Sequence, residues 1–469
     1  MRKYKWNKIV KFIKEVTKID IEKCRDLFAD SERNFTRKRK QPLDVLLRTL
    51  LMNYGSTLNQ QLRLTQGIGD DRASAAALIQ QKRKLTQEFY DFFFRSILGH
   101  IKDLTPYKGK YLVVAGDGSD VNIHPDPTDD KTKLKLSNNP HDKVCNQLHL
   151  NAFVAVPDGV FLEYEIQDHK DKDEDEAAIL MAERLSAKST NKRIPIITLD
   201  RGYESYRLMM KLDSLGYKYC IRVKDSWSNG IASRYKHLCG EDGCFDEIIT
   251  TRFTRNCWVV HDKSFDNSGY TYVPPNSRNE FIPKPENNVG RTKKNEERKL
   301  SYVEFTFRMT RIKLSDDSYE VLVSNLPKDE FSAQDLKDLY HLRWVIETSF
   351  RQLKYDDCAS FLHSKKKQYA IGELIMSMVF HNICSIVLMA LAEELQARME
   401  ARRRCYAYKV SYSDLAGTMK IYLQGRDPPL KVENLVRELE RTMEPVRDNR
   451  KFERILKTRQ FISFFYRAA

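Results

Sequence analysis

The chain of 469 residues is long enough for two or three domains, each with its own hydrophobic core. Hydrophobic residues make up 41% of it and aromatic residues 11%, which excludes a disordered chain. Lysine and arginine number 80 against 65 aspartate and glutamate, and the net charge of +15 favours a polyanionic partner, either nucleic acid or an anionic membrane.

The longest apolar stretch, 371–391, is interrupted by Glu373, His381 and Asn382, so no run of about 18 apolar residues predicts a membrane anchor. The basic N-terminus lacks the apolar segment of a secretory signal. Nine scattered cysteines suit reduced thiols. We therefore expect a cytoplasmic protein without a membrane partner, which leaves nucleic acid as the favoured polyanion.

The first hundred residues have the periodicity of helices. Apolar residues recur every three or four positions over 43–51, and a second such segment, 74–94, begins with the N-cap residue Ser74. Four consecutive basic residues precede the first helix: Arg37, Lys38, Arg39 and Lys40. Basic side chains in front of short helices suit docking on a DNA duplex, although an ordinary helical bundle with a charged outer face would have the same pattern.

Short apolar strands begin at residue 111. A strand over 111–115 is predicted to stop at Gly116 and to place Asp117 at its carboxyl end, and a strand over 194–199 places Asp200 in the same way. The other elements predicted here are hairpin strands 148–156 and 160–166, a helix over 173–186, a helix over 205–212 and a strand over 217–223. This order predicts a mixed sheet that starts antiparallel and continues as βα units.

Residues 224–318 interrupt the alternation of strands and helices. Three segments there alternate apolar and polar residues, 245–254, 257–262 and 299–314, and a polar, basic loop over 274–295 separates them. We predict a β-rich insertion. The strand 319–327 then returns to the sheet, and Ser332 is predicted to cap the helix that follows. The chain ends in a long buried helix over 370–395 and short helices near 411–423 and 430–443.

The segment 338–355 predicts one amphipathic helix with an apolar face. Four of its polar residues share one side of that helix: Tyr340, Arg343, Glu347 and Lys354. From spacing alone they could be a solvated face with i,i+4 pairs. Trp344 could stack on an unstacked base, or it could simply pack.

Three carboxylates, Asp117, Asp200 and Glu347, are thus predicted to converge at one edge of the sheet. Mg²⁺ prefers such oxygen ligands, and two ions roughly 4 Å apart could activate an attacking water and stabilise a leaving 3′-oxygen. Asp120 competes with Asp117 for the first ligand position. His149 is interpreted as a buried or supporting histidine, and the acidic run 168–176 as a solvated helix start.

Three motifs together resemble those of DDE transposases of the IS-four family, a group of bacterial insertion-sequence enzymes. They are AGDGSD around Asp117, TLDRGYES around Asp200, and the spacing Tyr340-x2-Arg343-x3-Glu347-x6-Lys354, which is the family's Y-R-E-K signature. The segments YHLRWVIETSFRQLK and VSNLP also match sequences that are usual in the family. The resemblance covers most of the chain, from about residue 35 to the C-terminal helices.

The resemblance implies an α/β fold: an RNase H-like (retroviral-integrase-like) catalytic core with a β-rich insertion, flanked by helical regions. It implies Asp117, Asp200 and Glu347 as catalytic ligands of Mg²⁺, with Mn²⁺ as a substitute. It also implies that Tyr340, Arg343 and Lys354 contact transposon-end DNA, and Trp344 is a further candidate from its position beside Arg343. The expected division is a helical DNA-binding region 1–105, core 106–223, insertion 224–318, core 319–395 and C-terminal helical region 396–469.

Relatives in this family cleave DNA at transposon ends and join the freed 3′-OH to target DNA. The resemblance therefore implies double-stranded DNA as partner, a homodimer in the DNA complex, and a location in the bacterial cytoplasm at the nucleoid. Two alternatives remain open: a domesticated or inactive relative that only binds DNA, and a plain metal-dependent nuclease. The intact carboxylates disfavour the first, and the basic helical flanks disfavour the second.

Overall fold

The computed structural model describes residues 2–446 except 38, 102–103, 135–143, 188–192, 262–265, 267–268, 285–299, 316–317, 402–405 and 425–430. Lys38, one of the predicted DNA contacts, lies outside the described residues, as does the second half of the polar loop 274–295. The described part is a mixed α/β structure with a large central sheet and helices towards both ends of the chain.

The N-terminal region is helical, as its periodicity predicted. Its helices are α1 Arg2–Glu15, α2 Leu43–Leu51, α3 Leu58–Gln66, α4 Ala75–Lys82 and α5 Gln87–Leu98. Hydroxyl side chains cap three of them: Thr57 caps α3, Ser74 caps α4 and Thr86 caps α5, each by accepting a hydrogen bond from a backbone N–H of the first turn. Their apolar faces pack together in one hydrophobic cluster.

The first half of the sheet follows the helical region. It consists of β1 Tyr111–Ile123, β2 Lys133–Leu134, β3 Cys145–Val156, β4 Val160–Asp168, α6 Glu174–Ala187, β5 Ile194–Leu199, α7 Tyr206–Ser214 and β6 Lys218–Val223. Strands β3 and β4 form the predicted hairpin, and β5 pairs parallel with both β1 and β6. The antiparallel start followed by βα units is therefore confirmed.

Strand β1 is longer than predicted. Its parallel pairing with β5 ends at Ala115 opposite Thr198, but its antiparallel pairing with β3 continues to Ile123 opposite Asn146. Asp117 thus lies within a strand, one residue beyond the Gly116 that was expected to end it. The extension depends on a partner 30 or so residues away, which local sequence pattern does not reveal.

The predicted insertion extends the same sheet. Its elements are β7 Phe245–Thr254, α8 Trp258–His261, β8 Tyr270–Tyr272 and β9 Val303–Ser315, followed by β10 Ser318–Ser324. The strand order β2-β3-β1-β5-β6-β10-β9-β7-β8 places β10 beside β6, with β9 and β7 outside it. The segment 257–262 was expected to alternate as a strand, and this was wrong. The N–H of Val259 bonds to the carbonyl of Asn256, at 3.2 Å, and closes a helical turn there.

The segment predicted as one helix over 338–355 is two helices, α9 Ala333–His341 and α10 Trp344–Tyr355. Ser332 caps α9, as expected, in a reciprocal capping box with Asp335. Between the helices the backbone tightens, because the N–H of Arg343 bonds to the carbonyl of Tyr340 at 3.0 Å and that of Ile346 to the carbonyl of Arg343 at 3.0 Å. Glu347 therefore lies in the first turn of a separate helix, α10.

The chain ends, within the described residues, with α11 Lys367–Ala401, β11 Ala407–Lys409, α12 Tyr412–Leu423, α13 Val432–Arg441 and β12 Glu444–Val446. Lys367–Glu400 is long and apolar enough to cross a membrane by length and composition, which the sequence interpretation had not expected. However, 78% of its most apolar window is buried inside the protein. The core helix of a soluble protein meets the same criteria, so this is weak evidence for a membrane span.

Alternate residues of β1 serve two hydrophobic clusters on opposite faces of the sheet. Val113 joins the cluster that contains Leu46 of α2, Phe93 of α5 and Leu374 of α11. Val114 joins the cluster that contains helices α6 and α7. The N-terminal helices and one face of the central sheet therefore share a single hydrophobic core.

Candidate active site

Asp117 lies just beyond the point where β1 stops pairing with β5. Its Oδ1 accepts a hydrogen bond from the N–H of Gly118 at 2.8 Å, and Nη1 of Arg343 lies 3.3 Å from Oδ2. The pKa of Asp117 is raised to about 6, chiefly by burial and to a smaller extent by the charges of Asp200 and Glu347, against the lowering effects of the Gly118 N–H and Arg343. Asp117 is thus a carboxylate whose charge the surrounding protein only partly compensates.

Asp200 follows the last residue of β5, as predicted. Its Oδ1 accepts a hydrogen bond from the N–H of Gly202 at 2.8 Å, which fixes the carboxylate in the turn Arg201–Tyr203. Because β1 and β5 are parallel neighbours, the ends of their shared ladder bring Asp117 and Asp200 to one sheet edge. Burial is the main cause of the raised pKa of Asp117, and the nearby charge of Asp200 adds to it.

Glu347 lies in the first turn of α10, and Arg343 connects it to Asp117. Nη2 of Arg343 donates to Oε1 of Glu347 at 2.7 Å, while Nη1 faces Asp117. Arg343 is only 8% exposed, yet its Nε has no hydrogen-bond partner among the described residues. The arginine therefore bridges two predicted ligands with part of its fork unused, and it is not a residue of a solvated face.

These three carboxylates have the donor chemistry of a divalent-cation site. Carboxylate oxygens suit hard cations, and a cation would compensate the buried charge of Asp117, whose pKa is raised by burial and by the charges of Asp200 and Glu347. In the part of the chain that the structure describes, no three His, Cys, Asp or Glu side chains form a ready-made metal cluster. The predicted convergence of Asp117, Asp200 and Glu347 on shared ions stays a prediction.

The remaining Y-R-E-K residues flank this bridge. The ring of Tyr340 is 7% exposed, and its centroid lies 5.7 Å from Cζ of Arg343. Nζ of Lys354 donates to Oγ of Ser119 at 2.7 Å, and burial lowers the pKa of Lys354. Trp344 is 53% exposed, so its indole is available to a ligand. The side chains of the Y-R-E-K signature thus lie around Asp117 and Ser119 of β1.

Asp120 belongs to a different set of contacts. Its Oδ1 lies 2.7 Å from Nδ1 of the buried His149, and Nε2 of that ring lies 3.1 Å from Oε1 of Glu174. The hydrogen bond with His149 lowers the pKa of Asp120, and a matching bond lowers the pKa of Glu174 to about 2. The pairing of Asp120 with His149 disfavours it as the competing ligand.

Glu174 was missed by sequence reasoning, which took the acidic run 168–176 as solvated. Its position in the first turn of α6 indicates only that an acidic side chain is favourable at a helix N-terminus. Its contact with His149 depends on the tertiary structure, which the sequence pattern does not show. Gly118 explains the close approach: a Cβ at that position would collide with Nε2 of His149. Glu174 and His149 therefore hold the strand segment that immediately follows Asp117.

The predicted N-terminal contacts lie away from this bridge, in the segment before α2. The side chains of Arg37, Arg39 and Lys40 are exposed. Nζ of Lys40 bonds to the carbonyl of Asp70. The structure thus places these basic residues on the surface of the helical region, where a DNA contact is sterically open.

Comparison with known proteins identifies the family. The model of the transposase DDE domain matches residues 108–383, which is more than half of the chain and includes the bridge between Asp117 and Glu347. The chain belongs to this family of DDE-domain transposase proteins.

Two curated relatives from Escherichia coli are similar over a short stretch. They are described as transposase InsL of insertion sequence element IS186A, from strain K12, and the transposase of insertion sequence element IS421. Each is 37% identical over 68 residues, which is 14% of this chain and 17% of the relative. The match thus spans about a sixth of the relatives' own length.

A solved structure, a piggyBac transposase synaptic complex with hairpin DNA, is similar at 10% identity. The alignment covers 92% of this chain and 84% of that one, with a TM-score of 0.47.

Proposed function

We propose that this protein is a metal-dependent DNA transposase, which binds the ends of its insertion sequence, cleaves the DNA and joins the 3′-OH ends to target DNA. The observation that carries the proposal is the bridge from Asp117 through Arg343 to Glu347, built from the family's own motifs at one sheet edge. The match to the transposase DDE domain supports the same conclusion.

Asp117, Asp200 and Glu347 would hold divalent ions, Mg²⁺ or Mn²⁺, which supply an activated nucleophile and stabilise the leaving 3′-oxygen in such reactions. The chain's other residues position the DNA. Arg343, whose two Nη groups face Asp117 and Glu347, would contact a phosphate oxygen through its Nε, and Lys354 offers a point charge. The exposed indole of Trp344 can stack on a base that leaves the duplex.

The proposal includes an RNase H-like core for the sheet, with the division into regions 1–105, 106–223, 224–318, 319–395 and 396–469. It includes double-stranded DNA as substrate, a homodimer in the DNA complex and action at the bacterial nucleoid. Arg37, Lys38, Arg39 and Lys40 would contribute to end binding through phosphate contacts.

The test is a cleavage and joining assay with the full chain. The DNA carries the inverted repeats that flank the gene, and a target plasmid is present with Mg²⁺ or Mn²⁺. We expect cuts at the repeat ends and covalent insertion products, both lost in Glu347→Gln. End binding without any cut would indicate an inactive relative. Cuts at random positions without insertion products would indicate a plain nuclease, and either result would overturn the proposal.

A further inference from the structure

Glu174 lies next to both strand ends that carry the predicted aspartate ligands. Strands β1 and β5 stop pairing at Ala115 and Thr198, so the ladder between them does not extend to Asp117 or Asp200. Glu174 reaches this place from the first turn of α6. The proposed function assigns no role to its side chain.

The carboxylate of Glu174 contacts the backbone on both sides of this gap. A Cβ placed on Gly118 would lie 3.0 Å from Oε1 of Glu174, and a Cβ placed on Gly202 would lie 3.4 Å from Oε2. The two oxygens of one carboxylate therefore lie against two different backbone segments. Glycine at both positions leaves room for this close approach.

The same two glycines hold the aspartates. The N–H of Gly118 donates to Oδ1 of Asp117 at 2.8 Å, and the N–H of Gly202 donates to Oδ1 of Asp200 at 2.8 Å. A shift of either glycine would therefore move the carboxylate oxygen that its N–H fixes. Glu174 is thus connected to both aspartates through one backbone group on each side.

Residues outside the predicted metal ligands hold Glu174 in this place. Nζ of Lys172 lies 2.8 Å from Oε1 of Glu174, and Nε2 of the buried His149 lies 3.1 Å from the same oxygen. Oδ1 of Asp120 lies 2.7 Å from Nδ1 of His149 and fixes the ring from its other side. In the described part of the chain both partners of the carboxylate approach Oε1, which leaves Oε2 against Gly202.

The phenol of Tyr203 gives separate evidence that Glu174 is near both aspartates. Tyr203 is buried, and its pKa is raised well above the ordinary value, chiefly by burial. To a smaller extent the charges of Glu174, Asp117 and Asp200 raise it as well. Three carboxylates thus act on one buried hydroxyl group, and Glu174 belongs to the surroundings of the predicted metal site.

We propose that Glu174 is a positioning residue of the predicted metal site. Its side chain spans the gap between Gly118 and Gly202 and thereby sets the separation of the two aspartates. The length of the side chain matters more than its charge, because it acts by contact with two backbone segments. The inference rests on the proposed function, since it takes Asp117 and Asp200 as metal ligands.

The test measures binding of Mn²⁺ to the full, metal-free chain by electron paramagnetic resonance, without DNA. We expect Glu174→Ala to bind Mn²⁺ about tenfold more weakly than the parent, since residues that orient metal ligands from outside the coordination shell have effects of that order. The Mn²⁺ concentration for half-maximal cleavage should rise by the same factor. The cleavage rate at saturating Mn²⁺ should stay near that of the parent.

Two conservative variants separate length from charge. Glu174→Gln keeps the length of the side chain and an oxygen that can accept from Lys172, so it should bind Mn²⁺ within about twofold of the parent. Glu174→Asp keeps the charge but is one methylene shorter. It should lose affinity as Glu174→Ala does, because its carboxylate no longer reaches both glycines.

Glu176→Ala is the matched control. Glu176 lies in the same first turn of α6, and its carboxylate pairs with Arg207 of α7 at 2.7 Å. The variant therefore removes an acidic group and an ion pair from the same turn and should bind Mn²⁺ as the parent does. Chemical denaturation of each variant separates a loss of Mn²⁺ affinity from a loss of stability.

Mn²⁺ binding at the parent level in Glu174→Ala would overturn the inference, and so would an equal loss in Glu176→Ala. Equal losses in Glu174→Gln and Glu174→Ala would overturn it as well, because the site would then depend on the charge. If Glu174→Ala does not fold, the two conservative variants decide: normal binding by Glu174→Asp with a loss in Glu174→Gln contradicts the inference. A parent chain that binds no Mn²⁺ without DNA would also contradict it.

Failure of the proposed function gives a different result. The parent chain would bind Mn²⁺, and Glu174→Ala would bind it more weakly, but neither protein would cut the inverted repeats or join them to target DNA.

Discussion

Two polar clusters flank α10, and they differ in how completely their members are satisfied. At its N-terminal end, Arg343 bridges Asp117 and Glu347. Its Nε has no partner in the part of the chain that the structure describes, and the pKa of Asp117 is raised to about 6. Just beyond its C-terminal end, Asp357 lies 2.9 Å from Nδ1 of His381, and the hydroxyl of Tyr412 lies 3.1 Å from the same carboxylate oxygen. We name the second set the Asp357 cluster.

The Asp357 cluster is closed. The side chain of Asp357 is 0% exposed and that of His381 1%, and Nε2 of His381 bonds to the carbonyl of Gly159 at 3.0 Å. It joins α11 and α12 to the hairpin turn with its polar atoms paired. A satisfied buried network specifies a structure, whereas a partly satisfied and open one has capacity for a ligand. Four predictions test this difference.

The largest expected effect is a loss of DNA cleavage rate in the Asp117→Asn variant. If Asp117 is a metal ligand as proposed, its loss should reduce the cleavage rate by at least about 1,000-fold, roughly 4 kcal/mol in the barrier. Its stability should stay the same or rise, because the substitution removes a poorly compensated buried charge. Cleavage assays and chemical denaturation measure the two effects. Asp120→Asn is the control and should cleave nearly normally; loss in that variant alone would mean that Asp120 is the ligand.

The opposite pattern is expected in the closed cluster. Asp357→Ala should cost about 3 kcal/mol of unfolding free energy, because it leaves His381 and Tyr412 without their buried acceptor. The fraction that folds should still cleave DNA. Urea denaturation followed by an assay of the folded fraction measures this. A stable Asp357→Ala protein that does not cleave DNA would contradict the prediction, because the Asp357 cluster would then serve cleavage and not the stability of the fold.

Arg343→Lys should affect cleavage more than Lys354→Arg. The first removes a fork that already reaches two carboxylates, whereas the second keeps a charge next to Ser119. We expect a loss of about 10- to 100-fold for Arg343→Lys, roughly 1.4–2.8 kcal/mol, and only a few-fold for Lys354→Arg. Single-turnover cleavage of labelled end DNA gives both values. Equal losses would show that charge alone matters at both positions.

The smallest effect is a pH dependence of stability without metal ions. The folded pKa of Asp117, about 6, lies above its unfolded value near 3.8. The folded form therefore holds its proton more tightly, and this contribution is present below pH 4 and lost as the pH rises through 6. Relative to Asp117→Asn, the parent chain should lose about 2 kcal/mol of stability between pH 4 and pH 7. A difference that does not change with pH would contradict the raised pKa.

Sequence pattern predicted the elements that depend on local periodicity. Strand 194–199 and the capping of α9 by Ser332 were read correctly, because burial and hydrogen bonding at these positions follow from neighbouring residues. The extension of β1, the break at Arg343 and the contact of Glu174 with His149 were not, since each depends on a distant partner or on tertiary packing. The predicted region boundaries and the shared metal site remain predictions.

The hydrophobic core shared by the N-terminal helices and the central sheet has a thermodynamic consequence. Phe93 of α5, Val113 of β1 and Leu374 of α11 belong to one cluster, so these elements gain their stability together and should unfold in one cooperative transition. DNA bound near α2 would then slow hydrogen exchange of backbone amides in β1, the strand of Asp117. The reason is that it binds only the folded state, in which α2 and β1 are both formed. Binding in the helical region would thereby lower the population of states in which the strand of Asp117 is open.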